Sequence, residues 1–508
     1  MNDRLWLLLL LVCGAGWAGG ADRSEADKLY LAGKFDEAAE HYQALVTAKP
    51  QDGESQVGLV RSLLRAERLH EAFLAGKAAQ NALPGRADIR VAFGDVVYRT
   101  GSFDDAYKLY LSGIGLDGNC ARCYLGAALV HRASFRRKSA RACFVKAYEL
   151  DRNDPDIIRG YSATLPGDED RALLLEKFLD LARNEDLRHL NAIRDSLEFF
   201  KKRDKSKSTE LVSEYRPYRI KLQTLMHDPQ RGSNGMGLAV SFNGHKSVLL
   251  EVDTGASGII LNPAAAGRAG IASVSTAHML GIGDAGDQST QVGIAEKMRI
   301  GEVEFANFPV EIGERKFMED VQGLIGTDVF SRFLIRLNIP ESVMDLTPFP
   351  PYPDGNEDWD AHDRQVSEAT PASVVARRTS HLLLVRTLVN ENRMVWFGVD
   401  TGSSANLINE ELARKTTRVG SDDRIRLKGV SGEVKKVLVA SSVRLQFGHF
   451  TQDNDGMVAY DMKSMNRSQG VEVSGLLGWP ILRQLIVTLN YRDGLIDFMH
   501  PLEQTKKQ

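Results

Sequence analysis

The chain has 508 residues, 43% of them apolar and 26% charged, which places it among globular proteins and excludes disordered, collagenous and membrane-embedded classes. Its 64 Lys and Arg against 67 Asp and Glu leave a net charge of −3, so no global field recruits nucleic acid or anionic lipid, and four cysteines are too few for a disulfide framework. At about 100–200 residues per domain, two to four domains are expected, each able to bury its own core.

Leu5 to Val12 is an unbroken apolar run behind Arg4, and small residues follow at Ala15, Gly16, Ala18, Gly19, Gly20 and Ala21. That order predicts a secretory signal peptide over 1–21 and an exported protein, periplasmic or secreted. An uncleaved N-terminal membrane anchor is the alternative, because Leu5 to Ala21 approaches the roughly 20 residues of a span. A lipoprotein reading through Cys13 is weakened by the bulky Val12 in front of it. No later stretch is apolar for long enough to cross a bilayer, so no membrane span is expected in the mature chain.

Over 22–200, Ala38, Ala72, Ala106 and Ala140 recur at a period of 34 residues, with small residues at Ala26, Gly94 and Ala128 and aromatics at Tyr42, Tyr110 and Phe144. Phe35-Asp-Glu-Ala38 and Phe103-Asp-Asp-Ala106 carry the turn into the second helix of a pair. The pattern resembles tetratricopeptide (TPR) repeats from about 22 to 155, with a helical extension to 200. It predicts an all-α solenoid whose concave face could take a peptide or a protein partner. Cys120-x-x-Cys123 opens a helix without the βαβ context of a redox motif, so a structural or disulfide role is expected, and a bridge from either cysteine to Cys143 would fit an exported protein.

The basic run Lys201 to Lys207 falls in a linker, 201–216, and reads as a solvated face rather than a nucleic-acid contact. From 217 the periodicity becomes that of short strands, with Asn243-Gly244 as a hairpin signal. Two mainly β regions are expected, 217–347 and 372–503, separated by a Pro- and acid-rich linker, 348–371.

The two β regions repeat each other. Asn243-Gly-His-Lys-Ser-Val-Leu-Leu-Glu-Val-Asp253-Thr-Gly-Ala-Ser257 parallels Asn390-Glu-Asn-Arg-Met-Val-Trp-Phe-Gly-Val-Asp400-Thr-Gly-Ser-Ser404. At similar spacing downstream, Gly323-Leu-Ile-Gly326 parallels Gly475-Leu-Leu-Gly478. A lone Asp-Thr-Gly is usually an ordinary turn; two copies, each behind an apolar strand and each followed by the same Gly segment, are not.

This arrangement resembles an aspartic peptidase with two retropepsin-like lobes fused in one chain, so the fold expected is a TPR solenoid followed by a bilobal, pepsin-like β unit. The resemblance implies Asp253 and Asp400 as the catalytic pair and Thr254 and Thr401 as the lock between their loops. It implies Gly255, Ala256, Ser257, Gly402, Ser403 and Ser404 as loop support, braced by Gly326 and Gly478. Gly-rich flap candidates lie about 30 residues past each aspartate, at Gly281, Gly283 and Gly286 and at Gly429 and Gly432. Two carboxylates this close share one proton over a range of pH, so one acts as base toward a water and the other as acid toward a scissile carbonyl. A Ser403 hydroxyl beside Asp400 would favour its ionised form and make Asp400 the base and Asp253 the acid.

The function expected is an endopeptidase acting on a peptide or protein substrate, with no metal and no cofactor. The alternative is a non-catalytic peptide-binding protein built on protease-like lobes. Gly281-Ile-Gly-Asp-Ala-Gly286 also spells a dinucleotide fingerprint but has no helix or βαβ unit behind it, and H-E-x-x-H, G-x-S-x-G and P-loop patterns do not occur.

Overall fold

The computed structural model describes residues 23–182, 187–204, 208–228, 232–279, 288–314, 320–365, 373–422, 427–429, 432–434 and 436–504. The signal-like segment 1–21 and the segment carrying Gly281, Gly283 and Gly286 lie outside these residues.

Helices follow one another from Arg23–Leu31 to Leu187–Lys202. The periodic alanines explain how they pair: Ala38, Ala72 and Ala106 are fully buried and Ala140 is 5% exposed, each in the second helix of a pair where a larger side chain would hold the helices apart. The periodic aromatics are matched by glycines on the next helix. A Cβ at Gly58 would lie 2.3 Å from the Tyr42 ring, one at Gly126 2.2 Å from Tyr110, and one at Gly160 2.4 Å from Phe144. Each ring therefore fills the space that a missing side chain leaves, which is how one repeat registers on its neighbour.

The chain divides between Pro84 and Gly85 into two compact units, so the boundary falls inside the helical array. The reason is that the helices Ala87–Arg99, Phe103–Leu116, Ala121–Ala133 and Arg137–Leu150 belong to the same body as the β region. The Trp396 indole donates to the Gly101 carbonyl at 2.7 Å and meets the Phe103 ring edge-on at 5.6 Å. Arg137 donates to the carbonyls of Tyr491 and Arg492, both at 2.7 Å, and Arg377 pairs with Asp104 at 3.0 Å. Phe93, Val97 and Phe103 share one apolar cluster with Leu382, Leu384 and Trp396. Cys120 bonds to Cys123 and leaves Cys143 as a free thiol, so the bridge closes within one helix start rather than reaching to the next helix.

Among the described residues, three large sheets and one two-stranded sheet make the β region. The first lobe is a sheet of nine described strands centred on Val248–Asp253, and the second a sheet of ten centred on Arg393–Val399. A six-stranded sheet joins them, in the order Val374–Val375, Leu495–Met499, Ile486–Asn490, Phe333–Asn338, Val343–Pro348, Tyr218–Lys221. Its central pairing is antiparallel, Ile335 opposite Leu489 and Leu337 opposite Val487. Each lobe gives three strands, so the lobes are related by an approximate twofold axis through this pairing, and one continuous core of buried side chains runs through both.

Candidate active site

The same local construction places each aspartate. In the first lobe Gly323–Gly326 runs parallel to Val248–Asp253, with Gly326 opposite Asp253, and antiparallel to Ile259–Leu261. In the second, Gly475–Leu477 runs parallel to Arg393–Val399 and antiparallel to Leu407–Asn409. The Gly-bounded segment thus threads between the strands that enter and leave the Asp-Thr-Gly loop. Its glycines are obligatory, since a Cβ at Gly326 would lie 2.6 Å from the Ala256 carbonyl oxygen and one at Gly478 2.1 Å from that of Ala405.

The two loops meet face to face. The Thr254 N–H donates to Thr401 Oγ1 at 3.0 Å and the Thr401 N–H to Thr254 Oγ1 at 2.9 Å. Each hydroxyl then donates onward across the interface, Thr254 to the Val399 carbonyl at 2.8 Å and Thr401 to that of Val252 at 2.9 Å. Both threonines are buried, at 1% and 3% exposure, so all four bonds are shielded from water.

That grip brings the carboxylates together. A Cβ at Gly255 would lie 2.6 Å from Asp400 Cγ, and one at Gly402 2.4 Å from Asp253 Cγ. Each carboxyl therefore rests on the glycine of the opposite loop while accepting from the N–H of its own, Gly255 to Asp253 at 2.8 Å and Gly402 to Asp400 at 3.0 Å. Asp400 accepts a second bond from the Ser403 N–H, also at 3.0 Å.

Burial, and after it the facing charge of Asp253, push the Asp400 carboxyl well above the ordinary carboxylate range. The backbone donors pull the other way and are outweighed. Two carboxyls set this close hold one proton between them. The Ser403 hydroxyl, expected beside Asp400, instead donates to the Ala405 carbonyl at 2.8 Å.

The braces differ between lobes. In the first, Asp328 accepts from the exposed Ser257 hydroxyl at 2.6 Å and from the Gly258 N–H at 2.9 Å. In the second, Trp479-Pro480 replaces Thr327-Asp328, and Asn406 takes over, accepting from the Gly478 N–H at 3.0 Å, while the Trp479 N–H donates to Ser403 O at 2.8 Å. Ser404 is exposed beside this loop, and Ala256 keeps only a long 3.4 Å bond from its N–H to the Asp253 carbonyl. Thr327 meets Tyr491 of the second lobe, hydroxyl to hydroxyl, at 2.8 Å. Sequence reading assigned no role to Asp328, Asn406 or Tyr491. The polar pair at 327–328 was the one visible signal.

Of the flap candidates, Gly429 and Gly432 face each other in a two-stranded antiparallel hairpin, Lys428–Gly429 with Gly432–Glu433. Gly281, Gly283 and Gly286 lie outside the described residues, between the paired strands Ser273–Met279 and Gln288–Ile300. Among the described residues no cluster of His, Cys, Asp or Glu could hold a metal ion.

Residues 238–329 and 385–481 match the family model described as aspartyl protease, one match per lobe and each spanning one Asp-Thr-Gly loop and its Gly-bounded segment. Among solved structures, the aspartic proteinase of Irpex lacteus is 13% identical with a TM-score of 0.37, over 56% of this chain and 97% of that one. A thermophilic TPR protein of Thermus thermophilus is 20% identical with a TM-score of 0.30, over 34% of this chain and 96% of that one. Comparison with curated proteins found no match.

Proposed function

We propose that this chain, whose two β lobes each match the aspartyl protease family, is an exported endopeptidase that hydrolyses peptide bonds with the Asp253–Asp400 pair and a bound water. The observation that carries the reading is the closure of the two loops on each other: the reciprocal threonine bonds set two carboxyls, each seated on the opposite glycine, where they share one proton.

Ionised Asp253 takes a proton from the water as its oxygen bonds to the scissile carbonyl carbon, and Asp400 gives its proton to the carbonyl oxygen. The tetrahedral diol collapses when Asp253 passes its new proton to the amide nitrogen and Asp400 recovers one from a diol hydroxyl. The carbon–nitrogen bond breaks, and the pair returns to its starting state. The paired strands Lys428–Gly429 and Gly432–Glu433 serve as a flap that pairs with the substrate main chain and keeps bulk water out.

The signal-like segment 1–21 and the Cys120–Cys123 bridge support an oxidising compartment outside the cytosol. Partner docking belongs to the helical array, where Phe73 and Leu74 are exposed. A peptide carrying a tetrahedral hydroxyl carbon in place of the scissile carbonyl tests the chemistry: it should bind at least about 100-fold more tightly than the matching amide. Equal binding of the two would remove the case for hydrolysis.

A further inference from the structure

The helical extension reaches the first lobe as well as the second. Helix Leu187–Lys202 lies against strand Ser273–Met279, the last strand in the order of the first-lobe sheet. Asp195 and Glu198 stand three residues apart on that helix, so both carboxylates reach the same stretch of strand. The Thr276 hydroxyl donates to Asp195 Oδ1 at 3.0 Å and to Glu198 Oε2 at 3.1 Å, and His278 Nδ1 lies 2.5 Å from Asp195 Oδ2. Thr276 and His278 are two apart on the strand and so project to one face. Each oxygen of Asp195 therefore has its own partner on the strand, and the side chain is only 13% exposed.

The helix is in turn fixed to the rest of the array. Leu190 shares an apolar cluster with Ile158 and Phe178 of the two preceding helices, Pro155–Ser162 and Asp168–Leu181, and Lys201 pairs with Glu176. At the other end of the same run of helices, Gly101 and Asp104 bind Trp396 and Arg377 of the second lobe. The helices from Ala87 to Lys202 thus hold one lobe at each end. Strand Ser273–Met279 has Gln288–Ile300 as its strand neighbour on one side, and helix Leu187–Lys202 holds it from outside the sheet.

We propose that Asp195 is a positioning residue that the helical extension supplies to the first lobe: through Thr276 and His278 it latches strand Ser273–Met279, so that the helices act as a strap across both lobes. Glu198 shares the Thr276 hydroxyl, and the Lys202 ammonium, ahead of that hydroxyl, holds the Glu198 carboxyl below its ordinary range. The first-lobe flap candidates Gly281, Gly283 and Gly286 fall between the latched strand and its neighbour Gln288–Ile300. A strand held in place before substrate arrives need not be ordered on binding. The latch therefore lowers KM and leaves the chemical step alone.

The effect on substrate rests on the peptidase reading, and the test has one arm that does not. In that arm, hydrogen exchange is followed by mass spectrometry in the full chain, for the wild type, Asp195→Leu, Asp195→Asn and Thr276→Val. Thr276 is exposed, so its substitution tests the contact even where Asp195→Leu fails to fold. Both Asp195→Leu and Thr276→Val should speed exchange over 273–279 by about tenfold or more and leave 393–402 as in the wild type. Asp195→Asn keeps an oxygen for Thr276 and sets an amide beside His278, and it should retain the wild-type pattern. In the cleavage arm, with an unfolded protein as substrate, Thr276→Val should raise KM by about threefold or more with kcat within about twofold of the wild type. Unchanged exchange over 273–279 in Thr276→Val would overturn the latch, and so would a loss confined to kcat. A wild type that cleaves nothing but shows the exchange difference would sink the peptidase reading and leave the latch standing.

Discussion

Thr254 and Thr401 each give an N–H to the other's hydroxyl, and each hydroxyl passes its own proton to a carbonyl of the opposite lobe. Four bonds thus depend on two side chains, and every one of them crosses between the lobes. Replacing Thr401 by Val keeps the shape but strands the Thr254 N–H and the Val252 carbonyl in a dry interface. The expected cost is about 2–4 kcal/mol in a urea titration, whereas Thr401→Ser, which keeps the hydroxyl, should cost about 1 kcal/mol or less.

Gly255 and Gly402 are required by the opposite carboxyl rather than by backbone conformation. Gly402→Ala should fold, since the loop can splay, but should separate the pair and lower kcat by about 100-fold or more. Near-native circular dichroism with lost cleavage is the expected signature, and full activity in Gly402→Ala would contradict the seating described.

The raised Asp400 pKa makes stability depend on pH in a defined direction. A carboxyl whose pKa is higher folded than unfolded contributes stability that is complete below its unfolded value and is lost as pH rises through the folded one. Asp400→Asn mimics the protonated form at every pH. Its melting temperature should match the wild type near about pH 4 and exceed it near about pH 8, and the opposite trend would place the proton on Asp253.

Trp396 ties the helices from Ala87 onward to the second lobe through Gly101 and Phe103. Trp396→Ala should cost about 3–5 kcal/mol. Hydrogen exchange should show the loss on both sides of the seam, around 93–103 and around 382–399. Loss confined to the β strands would mean that the helices fold independently of the lobe.

The sequence carried the Asp-Thr-Gly loops because their construction restricts residue type at fixed spacing: Asp for the facing carboxyls, Thr to bridge, Gly where the opposite carboxyl leaves no room for a Cβ. It carried the helix pairs because Ala38, Ala72, Ala106 and Ala140 sit where only a small side chain fits. Other features depend on which distant segments meet. Ile335 pairs with Leu489 across more than a hundred residues, and neither strand names its partner. Asp328 and Asn406 brace equivalent loops from non-equivalent positions, so the internal repeat concealed both. Ser403 misled because a hydroxyl near a carboxylate in sequence can point elsewhere, here to Ala405. The seam at Trp396 was invisible because an apolar strand residue does not reveal whether a sheet or a helix covers it.

The central claim is that Asp253 and Asp400 act as one catalytic unit. Its most direct measurement is the single-turnover cleavage rate of an unfolded protein between about pH 3 and 7, for the wild type, Asp253→Asn and Asp400→Asn. The account predicts cleavage by the wild type and a loss of at least about 1,000-fold in each variant, with no further loss when the two are combined. Cleavage that survives both substitutions would contradict it.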